Sequence, residues 1–291
     1  MESLANPSAT PQKRPAYLIA AAILGAIFFG VYGWVYYFEP FTPQSDYFND
    51  KIGDTLVFLP AMAAAILASI LARQFKPNEP PYRIWFTFSI GWWCWTGGEL
   101  LGYIYDHFYW YETYPEFTGI DACWVLGYIF FGLSLYYQIR LIYWKNNHGS
   151  INYLAYIAGT ALLALGLTKW AVAAGLGEGF SLPAVYLSVL YPVFDVFEGG
   201  VALWLFFVFG RGYLGRPWWG LIAFAFADSI NIYSWMGGLD NVAENIYYAF
   251  DLFSALAYIA GYIITALAFL SAIVHIRSSL PAQHEGPASK D

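Results

Sequence analysis

The sequence predicts an all-α fold, a polytopic membrane protein of eight transmembrane helices with both termini in the cytoplasm. Three observations predict it. Of 291 residues, 59% are hydrophobic and 11% charged, with a mean hydropathy of +0.49, values of membrane proteins rather than of water-soluble domains. Apolar stretches of the ~20 residues needed to cross the hydrocarbon recur eight times. Lysine and arginine fall in alternate connections, as an even number of crossings requires.

The first span, residues 16–38, follows Lys13 and Arg14. It is longer than a signal-peptide core and ends in Tyr36-Tyr37-Phe38-Glu39 without a small-residue cleavage site, so it reads as an uncleaved anchor. The next three spans fall at 52–72, 84–105 and 121–139, and the last four at 152–173, 184–209, 218–237 and 252–275. They must be helices, because backbone facing lipid has to satisfy its own hydrogen bonds and nothing here alternates with the two-residue period of a barrel strand.

Basic residues orient the spans. Lys13, Arg14, Arg73, Lys76, Arg83, Arg140, Lys145, Arg211, Arg216, Arg277 and Lys290 share one side, which is 11 of 13. Such residues stay cytoplasmic. Only Lys51 lies in an opposite connection, and Lys169 lies inside the fifth span. Acids run the other way: Glu39, Asp46, Asp50, Asp54, Asp106, Glu112, Glu116, Asp121, Glu178, Asp240, Glu244 and Asp251 lie at the outer side. The outer face is therefore negative and attracts cations. An ordinary cell membrane fits this charge bias, and nothing points to nucleic acid as a partner.

The chain also echoes itself. Arg83-Ile84-Trp85 and Arg216-Pro217-Trp218 open the third and seventh spans, and Asp121 to Tyr128 is answered by Asp251 to Tyr258. Glu99 and Asp228 are 129 residues apart, Asp54 and Asp195 141 apart. The expected organisation is a cytoplasmic tail (1–15), a four-helix half (16–150), a second half (151–275) and a tail (276–291), all one membrane domain. Four spans per half give both the same orientation, related by a pseudo-twofold axis along the membrane normal.

Four acids lie inside spans: Glu99, Asp195, Glu198 and Asp228. An ionised carboxylate costs ~2.5 to 3.5 kcal/mol at the centre of a bilayer, so such groups face protein or water, or bind a proton. Asp195 and Glu198 share a helix face with Tyr191, and Gly199-Gly200 beside them admits a close neighbour. Asp228 and Asn231 share another face, Glu99, Tyr103 and Asp106 form a stripe toward the outer surface, and Lys169 is the only base available inside the spans. The candidate ligand-binding set is thus Glu99, Tyr103, Lys169, Tyr191, Asp195, Glu198, Asp228 and Asn231, the four acids doubling as catalytic candidates. A packing network of interhelical hydrogen bonds is the plain alternative.

Other chemistries are excluded. His107 and His275 lie at opposite membrane edges and His148 and His284 outside the spans, so a bis-His haem has no ligands. The last span has no lysine for a retinal Schiff base. Asp46, Asp50 and Asp54 face outward without the basic partners that a magnesium-diphosphate site requires. Cys94 and Cys123 match no metal spacing. No metal is expected, and no cofactor is indicated.

An Arg-x-Trp helix entrance, Gly98-Glu99 within the span and Asp121 leading to Leu126-Gly127-Tyr128 resemble the multi-helix membrane input modules of bacterial diguanylate cyclases and histidine kinases. Tyr191-Pro192-Val-Phe-Asp195 and the Asp228 helix are similar to the second half of such modules, and the resemblance covers residues 52–275. Residues 276–291 hold no GGDEF or kinase domain, so the resemblance implies a free-standing relative that signals through a partner protein.

The leading expectation is a membrane-embedded sensory or ligand-binding module that takes a small apolar or cationic ligand, or a membrane lipid, in an acidic and aromatic cavity opening outward. The alternatives are an isoprenoid- or lipid-modifying enzyme, a cyclase or hydratase started by a protonated carboxyl, and a proton- or cation-coupled transporter.

Overall fold

The computed structural model describes residues 16–42, 46–108, 117–146, 159, 165, 166, 169, 182–209, 212, 215–235 and 242–279. Long apolar runs with few interior breakers become seven α-helices among these residues: α1 (Ala16–Phe38), α2 (Asp46–Ala72), α3 (Pro80–Phe108), α4 (Gly119–Asn146), α5 (Leu182–Phe209), α6 (Trp219–Trp235) and α7 (Glu244–Ser279). A single 3-10 turn, Arg216–Trp218, leads into α6 with Pro217 near its start, where a missing N–H costs nothing. Pro60 and Pro192 lie inside α2 and α5, positions that apolar helices tolerate when neighbours satisfy the freed carbonyl.

Five of these helices, α1, α2, α4, α5 and α7, are long and apolar enough to cross a membrane, which makes the chain a multi-pass membrane protein. Helices α3 and α6 occupy the residues expected as the third and seventh spans but fall short of that measure for separate reasons. Helix α3 has 29 residues but is diluted by Trp, Tyr, Gly and Glu99. Helix α6 has 17 residues, a length of roughly 25 Å at the α-helical rise. The fifth span, 152–173, lies outside the described residues except for Gly159, Leu165, Gly166 and Lys169, which are helical.

Six helices form a closed ring in which α2 packs on α3, α3 on α4, α4 on α5, α5 on α6, α6 on α7 and α7 back on α2. Helix α1 stands outside it, against α7 and α2. Its close approach to α7 uses small residues: a Cβ on Gly25 would lie 2.8 Å from Ile263 and one on Gly33 3.1 Å from Leu256. The rest of α1 presents Ile19, Ile23, Leu24 and Ile27, each more than half exposed, as a lipid-facing helix should. Glu39, at φ 40°, ends the helix in the left-handed conformation, its N–H returning to Val35 O.

Across the middle of the ring, α3 and α6 meet through their side chains. Trp85 reaches Trp218 at 5.7 Å between ring centroids, Phe88 reaches Trp218 at 4.5 Å, and Trp95 reaches Phe224 at 4.7 Å. Phe131 of α4 and Tyr262 and Phe269 of α7 close the column from either side. Every one of these rings is at most 2% exposed. The edge-to-face contacts are the geometry that aromatic quadrupoles favour, worth about 0.5–1.5 kcal/mol per pair beyond area burial.

Glycines admit these rings to the helix surfaces. A Cβ on Gly127 would stand 2.0 Å from the Trp95 ring, and one on Gly91 2.4 Å from Phe131. At Gly220 it would meet Thr265 Oγ1 at 1.8 Å and the Gly261 carbonyl at 2.7 Å, so α6 and α7 touch nearly backbone to backbone there.

Candidate functional site

The basic and acidic ends of the ring are anchored separately. At the end where α2 and α7 finish, the Arg277 guanidinium donates to Gln74 Oε1 at 3.4 Å and Arg216 donates to Ser271 Oγ at 3.2 Å. At the opposite end α4 begins with a capping box. Thr118 Oγ1 accepts the Ile120 N–H, and Asp121 Oδ2 takes the Thr118 N–H at 2.8 Å and its hydroxyl at 3.0 Å. Asp121 has a second oxygen, Oδ1, and it accepts the Tyr191 hydroxyl of α5 at 2.8 Å. Two parallel helices are thereby joined at the same height.

One to two turns deeper are the intramembrane acids. Asp195 and Glu198, on one face of α5, are each 2% exposed. The Tyr128 hydroxyl of α4 donates to Asp195 Oδ1 at 2.7 Å and lies 3.2 Å from Asp228 Oδ2 of α6. Asp228 in turn lies within electrostatic range of Glu99 on α3. Glu99 Oε1 accepts two hydroxyls of α7, from Tyr258 at 2.5 Å and Tyr262 at 2.6 Å. Glu198 rests against Gly132 of α4, and neither of its carboxyl oxygens has a hydrogen-bond partner among the described residues.

The bonds cross the ring reciprocally. Glu99 and Asp228 are 129 residues apart, Tyr128 and Tyr258 are 130 apart, and each acid meets the tyrosine from the other of two three-helix stretches, α2–α4 and α5–α7. A carboxylate that accepts hydroxyl donors in a dry interior is held far more firmly than one in water, because the alternative is an unmet charge.

Of the residues singled out in the sequence, Glu99, Tyr191, Asp195, Glu198 and Asp228 come together. Tyr103 does not join them. Its ring stacks at 3.7 Å on His107, whose Nδ1 lies 4.0 Å from Asp54 Oδ2, so it belongs to the outer end of α3 and α2. Asn231 is exposed, although three residues from Asp228, and Lys169 is exposed and forms no ion pair with the acids among the described residues. Among the described residues, Glu99, Asp195 and Asp228 meet tyrosine hydroxyls instead of a lysine, and Glu198 meets neither. Sequence reasoning passed over Tyr128, Tyr258 and Tyr262 as partners, yet the echo of Asp121–Tyr128 in Asp251–Tyr258 held the signal for two of them.

Among the described residues no group of three or more His, Cys, Asp or Glu has the geometry to hold a metal ion. The chemistry available is that of hydroxyls and carboxyls in a low-dielectric interior: proton exchange, and electrostatic attraction for a cation. Comparison with known proteins gives no match, whether to a family model, a curated protein or a solved structure.

Proposed function

We propose that this chain is a membrane-embedded sensory module that binds a small cationic or apolar ligand between two halves of a helix bundle. Glu99, Asp195, Glu198 and Asp228 hold the polar part of the ligand, and occupancy shifts one half against the other. The observation that carries this reading is the reciprocal pairing of Glu99 with Tyr258 and of Asp228 with Tyr128. Any ligand that draws on either carboxylate competes with a bond between the halves, which converts binding into movement.

In this reading the bundle has eight spans, with both termini in the cytoplasm, in two parallel four-helix halves. The contacts between Trp85 and Trp218, 133 residues apart, and between Trp95 and Phe224, 129 apart, support it, since equivalent residues beside a twofold axis meet each other. The resemblance to bacterial input modules, if it reflects function, implies a partner protein that reads the movement.

The test is thermal unfolding of the purified protein with quaternary ammonium and polyamine cations, together with solvent extraction of any bound lipid. A stabilising ligand whose effect disappears in Asp195→Asn supports the reading. Stability that no cation or extracted lipid alters contradicts it. The isoprenoid-enzyme reading has one observation in its favour, a buried carboxyl in contact with a tyrosine hydroxyl that could deliver a proton. A chemically altered isoprenoid recovered in the extract would favour it.

A further inference from the structure

A hydroxyl carries one hydrogen. Tyr128 gives its hydrogen to Asp195 Oδ1 at 2.7 Å, so the second contact, 3.2 Å to Asp228 Oδ2, joins two oxygens with no hydrogen of the tyrosine between them. Two lone pairs at that distance repel unless a proton lies between, and because the one tyrosine hydrogen can serve only one of the two contacts, a carboxyl must carry the other, Asp228 if the tyrosine hydrogen is on the shorter contact. The chain then reads Asp228 O–H to Tyr128 O–H to Asp195 carboxylate, each hydroxyl donating once.

A second observation points the same way. Glu198, one turn from Asp195 and 2% exposed, has neither oxygen hydrogen-bonded among the described residues, and Asp195 Oδ2 is likewise without a partner. Buried carboxyls without donors are stable as neutral acids or with a cation beside them. The groups that face the pair are mostly acids and tyrosines: Glu198 and Tyr191 from α5, Asp121 from α4 through Tyr191, and Glu99 from α3. Tyr258 and Tyr262 face it from α7, and Asp54 of α2 acts on Glu99 from the outer end. No cation among them competes with a proton.

Access is unequal. Toward the acidic end, Asp121 is partly exposed and accepts the hydroxyl of Tyr191, which lies within electrostatic range of Asp195 and Asp228. Toward the basic end the centre is filled by Trp92, Phe131, Phe88, Trp85, Trp218 and Phe269. The buried hydroxyls of Ser89, Thr96 and Ser134 are committed to backbone carbonyls. Among the described residues, Asp195 and Glu198 are the most deeply buried carboxylic acids, each 2% exposed.

We propose that Asp195, Tyr128 and Asp228 hold one exchangeable proton, loaded from the acidic end of the bundle and sealed from the basic end by the aromatic column. The proton is thus a ligand of the site. Transfer is balanced: Tyr128 passes its hydrogen to Asp195 while taking that of Asp228, so one proton moves between carboxyls and the tyrosine ends as it began. This deepens the sensory reading and rests on it for the response that loading produces.

Infrared difference spectroscopy on the full chain in lipid nanodiscs, in H2O and D2O across a pH series, tests the assignment. A protonated-carboxyl C=O band that titrates with pH is expected, shifted in D2O, lost or displaced in Asp228→Asn and in Asp195→Asn and moved in frequency in Tyr128→Phe, while any band of neutral Glu198 does not titrate with it and is lost only in Glu198→Gln. Size-exclusion elution of each variant as a single species establishes that it is folded. No such band, or a titrating band that survives unchanged in both Asp228→Asn and Asp195→Asn, overturns the proposal. In proteoliposomes of known orientation, a pH step on the acidic side alone moves the band. A response to a step on the basic side alone overturns the sealing. Loss of the band with cation or lipid stabilisation intact would remove the proton while leaving the sensory reading standing.

Discussion

The two ends of the helix ring are built from the same kinds of residue and behave differently. Toward the basic end, rings pack on rings: Phe88 touches Trp85, Trp92, Phe131, Trp218 and Phe269, and nothing there needs a directed bond. Toward the acidic end, Tyr128, Tyr191, Tyr258 and Tyr262 add one hydroxyl each and aim it at a carboxylate. The difference is one oxygen per ring. It separates a region held by area and shape from one held by specific pairs, and only the second can be altered by a proton or a ligand.

Substitutions break or sharpen this contrast, the largest effect first. Trp92→Ala empties the centre of the column, where the ring is 0% exposed and touches six others. Large-to-small core changes of this kind cost about 3–5 kcal/mol. Thermal or denaturant unfolding should show a loss of that order with no change in the pH response of the site.

Tyr128→Phe keeps the ring and deletes the hydroxyl, stranding Asp195 Oδ1. A buried acceptor left unmet costs about 1–3 kcal/mol. Tyr258→Phe should cost less, because Glu99 Oε1 keeps the Tyr262 hydroxyl. Equal losses in the two variants would deny that hydroxyl count governs the acidic end.

Trp218→Phe should cost least. The indole Nε1 of Trp218 is buried without a partner among the described residues, so losing it removes an unmet donor and offsets part of the lost ring area. A loss well below that of Trp92→Ala is expected, because only the atoms by which indole exceeds phenyl are removed. A loss as large as that of Trp92→Ala would show that a hidden bond supports the column.

Much of the scaffold was legible from hydropathy. Helix α1 has the bounds of the span read from sequence, whereas α4 ends seven residues beyond 139 and α7 begins eight residues before 252. Helices α3 and α6 lie where apolar stretches are read at 84–105 and 218–237, though they are less apolar or shorter than the other five. The ring order was not legible, because a lipid-facing and a protein-facing apolar side chain look alike in a sequence. The acids were legible since each is costly in a membrane, whereas their partners were hidden among 25 tyrosines. Aromatic abundance suggested rings lining an interior, and at the basic end they pack against one another. Asn231 shows the limit of face arguments: three residues from Asp228, it is exposed because α6 turns that edge outward.

The central claim is that carboxylate–tyrosine pairs tie the two three-helix stretches together. A double-mutant cycle on Tyr128→Phe and Asp195→Asn, read by unfolding in lipid nanodiscs, tests it most directly. The account predicts a coupling energy of about 1–3 kcal/mol, within the range of residues in one hydrogen-bond network. Single-mutant effects that add to within about 0.5 kcal/mol, as they do for independent sites, would contradict it.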